Sequence, residues 1–254
     1  MTILKTTSLS IGYKKTTIQE NLNLIIREGE MICLIGPNGC GKSTLLRTLA
    51  GLQKPISGSF KLGDKEFNHL TTNEKALLLA FVLTEKVEVD NLSVFDLVFT
   101  GRYPHTSWFG NRTRKDLEKT NEAIDMVHLS HKKDSFINEL SDGEKQRAMI
   151  AKALAQDTQL IFLDEPTAHL DLPNRVEITL LLRRLAKETN KAFVLSTHEL
   201  NLALQAADQI WLMNENGVET GVPGNIELKR HIQSTFANDA VEINPDSGSF
   251  RLKI

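Results

Sequence analysis

The chain has 254 residues, of which 41% are hydrophobic and 24% charged, an ordinary balance for one large globular domain or two small ones. A formal net charge of −2 offers nucleic acid no bulk attraction, and two cysteines make no disulfide framework, which suits a reducing compartment. The opening MTILKTTSLSIGYKK lacks the apolar core of a secretory signal, and runs such as residues 76–83 fall far short of the ~18–20 residues that span a bilayer, so any membrane role is expected to come through a partner.

Residues 1–30 read as short strands punctuated by Gly12-Tyr13 and Glu28-Gly29. Met31-Ile32-Cys33-Leu34-Ile35 is an apolar run that leads into GPNGCGKST at 36–44, a full match to G-x-x-x-x-G-K-[ST]. Leu45, Leu46 and Leu49 then repeat at helical spacing, so the loop lies between a strand and a helix, the context a phosphate-binding loop requires. Gly36, Gly39 and Gly41 let the backbone turn its N–H groups inward, and Pro37, Asn38, Cys40 and Thr44 complete the cradle. The helix starting near Lys42 aims its positive end at the same anion. Lys42 is expected to reach the β- and γ-phosphates of ATP, and the Ser43 hydroxyl to hold Mg²⁺.

Residues 86–156 carry mainly helical patterns, at 94–100, 115–127 and 144–155. The charged cluster Arg112, Arg114, Lys115, Asp116 and Glu118 reads as a solvated helix face. Leu160-Ile161-Phe162-Leu163 is an apolar strand ending in Asp164, placed to hold Mg²⁺, and Glu165, placed to polarise an attacking water as general base. Residues 192–195 form a third run of the same kind, with His198 just beyond it. Runs apolar on both faces fit central strands of a parallel sheet covered by helices, and ligands of such sheets bind beyond the carboxyl ends of the strands. The phosphate loop, Asp164-Glu165 and His198 all fall at that edge. Residues 208–213 read as another strand followed by a hairpin turn at Asn214-Glu215-Asn216-Gly217, and the tail from about 225 is assigned only to packing. No histidine has zinc-ligand spacing, and His128 and His131 are expected at the surface.

Leu140-Ser141-Asp142-Gly143-Glu144-Lys145-Gln146-Arg147 resembles the LSGGQ-type signature of ATP-binding cassette proteins. From about residue 3 to 225 the chain resembles the nucleotide-binding subunit of an ABC transporter. The resemblance implies an α/β P-loop NTPase with a RecA-like core, an N-terminal antiparallel β subdomain and an inserted helical subdomain. Residues 1–254 then form one nucleotide-binding domain, with the α/β core at about 1–85 and 157–225, the helical part at about 86–156 and a tail at 226–254. It places Ser141 and Gly143 on the γ-phosphate bound by the opposite subunit, Tyr13 on adenine, Asp171 in the loop that crosses between subunits, and His198 on the γ-phosphate as switch histidine. Glu165, His198 and Lys42 become the catalytic set. The chain departs from the pattern at Asp142 and Glu144, where Gly and Gln are usual, and the added carboxylates make the local field less favourable for phosphate. Ser141 and Glu144 also read as a capping box at a helix start, and both roles can coexist. At Glu85 the family has a glutamine that touches Mg²⁺, and a carboxylate there can ligate the metal or slow the cycle.

The stretch NLSVFDLVFTGRYPH at 91–105, with Tyr103 and His105, resembles the importers of ferric siderophores, haem and cobalamin. The partners this implies are a second copy in a head-to-tail dimer, integral-membrane permease subunits with an external substrate-binding protein, and no nucleic acid, the chain itself lying peripherally at the cytoplasmic face of the inner membrane. The competing readings are a soluble ABC ATPase acting as switch or scaffold, as in iron–sulfur assembly, an ABC exporter or lipoprotein-release subunit, and a P-loop kinase. The residues do not name the cargo.

Overall fold

Strands that are apolar on both faces force a sheet into the middle of the molecule, and here two cores grow from its two sides. In the computed structural model, which describes residues 1–13, 16–83, 91–106, 112–237 and 241–252, the chain begins with strands β1 (Thr2–Tyr13), β2 (Thr16–Leu22), β3 (Ile25–Arg27) and β4 (Met31–Ile35). Helix α1 (Lys42–Leu49) follows, then β5 (Ser57–Leu62), β6 (Lys65–Glu66), α2 (Thr72–Leu78) and β7 (Leu79–Val82). Helices α3 (Val94–Phe99), α4 (Arg114–Met126) and α5 (Asp142–Ala155) precede β8 (Leu160–Leu163), α6 (Leu172–Thr189), β9 (Ala192–Ser196) and α7 (Leu200–Ala206). The chain closes with β10 (Gln209–Asn214), β11 (Gly217–Gly221), α8 (Ile226–Phe236), β12 (Val241–Ile243) and β13 (Phe250–Leu252).

The central sheet has the order β11-β10-β4-β9-β8-β7, parallel except for the β11 edge. Successive side chains of a strand point to opposite faces. Met31, Cys33 and Ile35 of β4 therefore enter a core shared with α3, α4, α5, α6 and α7, while Ile32 and Leu34 enter one shared with α1 and the N-terminal strands. Those strands form an antiparallel sheet, β2-β1-β5-β6, with β3 pairing onto β1. Among the described residues no helix is long and apolar enough to cross a membrane.

Two sequence expectations need correction, and two segments that the sequence left without secondary structure gain it. Gly12-Tyr13 is not a turn but the last pair of β1, in register with Thr17 and Thr16. The apolar run 76–83 is divided between α2 and β7: a Thr71–Glu74 capping box starts the helix, and Leu79 already has extended backbone and pairs with Leu160. The tail from 226 has its own structure, with α8 capped by Asn225 and a β12–β13 hairpin tied to it by Lys229–Asp246. Gly248 of that hairpin lies so close to α7 that a Cβ there would stand 2.7 Å from the Asn201 nitrogen.

The second correction concerns Asp116, read as part of a solvated face. It is 3% exposed and accepts from Arg102 Nε at 3.0 Å, while Arg102, 2% exposed, also donates Nη1 to the Ala155 carbonyl at 2.6 Å. Burial raises the Asp116 carboxyl, but hydrogen bonds from Thr113 and Arg102 together outweigh it and hold the pKa below the usual carboxylate range. Arg102 thus pins the 100–105 turn to α4 and α5. His105 Nε2 meets the Gln156 carbonyl at 2.8 Å, and Gln156 in turn donates to the Ala76 and Leu79 carbonyls at 2.7 and 2.9 Å. This series of bonds fixes the helical insertion to the edge of the central sheet and leaves Tyr103 63% exposed.

Candidate active site

β4 ends at Ile35, and the chain must leave it beside β10. A Cβ on Gly36 would sit 2.2 Å from the Met213 carbonyl oxygen, so only glycine lets the loop begin there. Gly41, with φ +108°, closes the loop against Ile18 and forms the cap of α1. Lys42 is buried, and its Nζ donates to the carbonyls of Gly36 and Pro37 at 2.8 and 3.0 Å, drawing the loop around its own ammonium. Burial lowers the Lys42 pKa from the usual lysine value, against the opposing charges of Glu165 and Asp164. The Cys40 thiol is pushed up by burial despite the lysine beside it, which disfavours a reactive thiolate. Pro37, Asn38 and Gly39 form the exposed crest of the loop and, with Cys40, one wall of a cleft of ≈ 580 Å³ that Gln19 and Asn214 also line.

Beyond β8 and β9 the acids meet the loop. Ser43 Oγ donates to Asp164 Oδ1 at 2.9 Å, and Ser196 Oγ donates to the same oxygen at 2.7 Å. The Ser196 hydroxyl also accepts from the Glu165 N–H at 2.9 Å, so one side chain at the end of β9 orients both acids. Glu165 has φ +48°, a left-handed conformation that costs a side-chain residue energy and commonly marks functional turns. Its Oε1 lies 2.7 Å from His198 Nε2. Across the loop, Thr44 Oγ1 donates to the Tyr13 hydroxyl at 3.1 Å and holds that half-exposed ring at the mouth of the site.

The structure therefore brings Lys42, Ser43, Thr44, Asp164, Glu165, His198 and Tyr13 to one edge. Ser141, Gly143 and Asp171 form a second group, at the starts of α5 and α6. Ser141 caps α5, its hydroxyl donating to Glu144 Oε2 at 3.0 Å while Glu144 N donates back at 3.3 Å. The Ser141 backbone N–H is the main cause that lowers the Glu144 pKa. A Cβ on Gly143 would meet Asn174 Oδ1 at 2.3 Å, and Asn174 donates through its backbone and side-chain nitrogens to Asp171 Oδ1 at 3.0 and 2.7 Å. Glu85 lies outside the described residues. Sequence reasoning missed Ser196 as a holder of the two acids. Its signal was a hydroxyl ending an apolar strand two residues before His198, too common a pattern to single out.

A glycine loop and lysine between a strand and a helix, with an aspartate–glutamate pair on a neighbouring parallel strand, define a P-loop ATPase. The family described as ABC transporter matches residues 19–168, and the chain belongs to that family. It is 40% identical to an uncharacterized ABC transporter ATP-binding protein of Methanocaldococcus jannaschii, over 99% of this chain and 87% of that one. It is 36% identical to the ferric enterobactin transport ATP-binding protein FepC of Escherichia coli, over 92% of this chain and 86% of that one. Among solved structures it resembles a dimeric ATP-binding cassette in a post-hydrolysis state with ADP and phosphate, at TM-score 0.72 and 27% identity, over 87% of this chain and 98% of that one. The chain is an ATP-binding subunit that couples ATP hydrolysis to transport. Family membership brings dimerisation, a membrane permease as partner and association with a membrane.

Proposed function

We propose that two copies of this chain enclose two ATP molecules head to tail and drive an importer of ferric siderophores, with haem and cobalamin as neighbouring cargo classes. They act at the cytoplasmic face of the membrane, under permease subunits fed by an external substrate-binding protein. The observation that carries the hydrolytic part is the continuous line of contacts Ser43–Asp164–Ser196–Glu165–His198 at the end of the parallel strands. Glu165 takes the proton of the attacking water, His198 holds that carboxylate in place and reaches toward the γ-phosphate, and Lys42 balances charge on the β- and γ-phosphates. Tyr13 supplies a face on which adenine stacks.

The donor set suits magnesium. Ser43 Oγ and Asp164 Oδ1 are hard oxygen ligands 2.9 Å apart beside the lysine of the loop, the kind of set Mg²⁺ takes together with substrate phosphates. Ser43 and Asp164 would hold the ion, with Glu85 as a third candidate, and the ion would offset phosphate charge. Each site is completed by the other copy's Ser141–Gly143 segment, whose capped helix start is an anion site, with Asp171 in the crossing loop.

Import of iron chelates is supported by the ferric enterobactin relative and by residues 101–105, where buried Arg102 anchors a turn that holds Tyr103 out for a permease. Uptake of labelled ferric siderophore, haem and cobalamin by a strain lacking this gene is the direct test. Loss of ferric-siderophore uptake, restored by the wild-type gene and not by a Lys42→Ala copy, is expected. Undiminished uptake of ferric siderophores in the deletion strain would overturn the assignment.

A further inference from the structure

Outside the groups assigned to the nucleotide, one side chain joins two segments that meet it. Arg175 stands in the first turn of α6, and its backbone N–H donates to the Asp171 carbonyl at 2.9 Å. Its Nε donates to the carbonyl of Leu170, inside the 168–171 segment, at 2.6 Å. Its Nη1 pairs with the carboxylate of Glu199, the residue next to His198. Glu199 is itself tied into the switch loop: its N–H donates to Thr197 Oγ1 at 3.0 Å, and Leu200 N donates to the His198 carbonyl at 3.0 Å. The planar guanidinium fork fixes both directions at once, which a flexible point charge does not.

We propose that Arg175 is a positioning residue that links segment 168–171 to the switch loop, so that seating of the second copy on the first is felt as the placement of His198 against Glu165. The inference rests on the reading that Glu165 and His198 carry hydrolysis and that 168–171 lies between two copies. The side chains of Arg175 and Glu199 are 34% and 32% exposed, a setting in which an ion pair adds little to folding stability. Geometry is therefore what the pair supplies: it controls the angle between two loops whose strands, β8 and β9, are already held by the sheet.

The test compares Arg175→Ala, Glu199→Gln and the exchanged double variant Arg175→Glu/Glu199→Arg in steady-state ATP hydrolysis, thermal melting and ATP-driven dimerisation in a Glu165→Gln background. Each single change is expected to lower kcat on the order of 10- to 100-fold, the cost of a small misplacement of a catalytic group, with KM for ATP and melting temperature unchanged. Dimerisation should persist, and the exchanged variant, whose glutamate has no donor for the Leu170 carbonyl, should stay as low in kcat as Arg175→Ala. A kcat within about two-fold of wild type in Arg175→Ala overturns the inference, as does a rise in KM that accounts for the whole loss. Glu165→Gln alone separates the two levels: if it hydrolyses ATP normally, the reading of the site fails, and if it is inactive while Arg175→Ala is fully active, only the link fails.

Discussion

Glu165→Gln is expected to bind ATP as wild type does and to hydrolyse it at least ~100-fold more slowly, the usual contribution of a positioned general base. The amide keeps the size of the carboxylate and can still bond His198 Nε2, which lies 2.7 Å from Oε1 in the wild type. The backbone N–H of residue 165 still reaches Ser196 Oγ, so the turn with φ +48° and the orientation of Asp164 survive. Only proton acceptance is lost. A radiolabelled-ATP assay beside equilibrium binding checks both halves, and the account predicts a collapse of kcat without a parallel loss of affinity. Activity near the wild-type rate would remove Glu165 from the mechanism.

Arg102→Met is expected to be the most damaging change outside the nucleotide site. Removing one member of a buried ion pair strands the other, at a cost of about 3–5 kcal/mol. Asp116 would retain Thr113 but lose its cation, and the Ala155 carbonyl would lose its donor. For a chain of this size the expected fall in melting temperature is on the order of 10 °C. The pH dependence has a definite sign. The Asp116 pKa is depressed in the folded wild type, so the stability it contributes is present above the ordinary carboxylate pKa and is lost as pH falls through the depressed value. In the variant the stranded carboxyl is raised instead, and protonation relieves it. The gap between wild type and variant should be largest near neutral pH and narrow as pH falls from the raised carboxyl value of the variant through the depressed value of the wild type. Urea unfolding across that range checks it, and a gap independent of pH would show that lost packing, not the ion pair, sets the cost.

How much could be read without coordinates depended on whether the chemistry demands fixed spacing. Phosphate binding does: Gly36, Gly41, Lys42 and Ser43 act through one continuous backbone turn, so their order in sequence is their order in space. The both-face apolar strands at 31–35, 160–163 and 192–195 were legible for the same local reason, since burial on two sides removes every polar residue from the run. Arg102 and Asp116 were not legible as a pair. They are separated by a turn and a helix start, and Asp116 stands among exposed charges that disguise its burial. Ser196 acts across strands on Asp164 and Glu165, and Arg175 acts from a helix on two loops, contacts that only the fold creates. The β12–β13 hairpin has three residues in each strand, too few for any period to show.

The claim that each ATP site is finished by a second copy is tested most directly by sedimentation of Glu165→Gln with and without ATP. The account predicts a monomer in the absence of nucleotide, a dimer with ATP and magnesium, and a return to monomer when Ser141 and Gly143 are replaced to block the contact with the partner's phosphate. A protein that stays monomeric at saturating ATP, while binding it fully, would contradict the account.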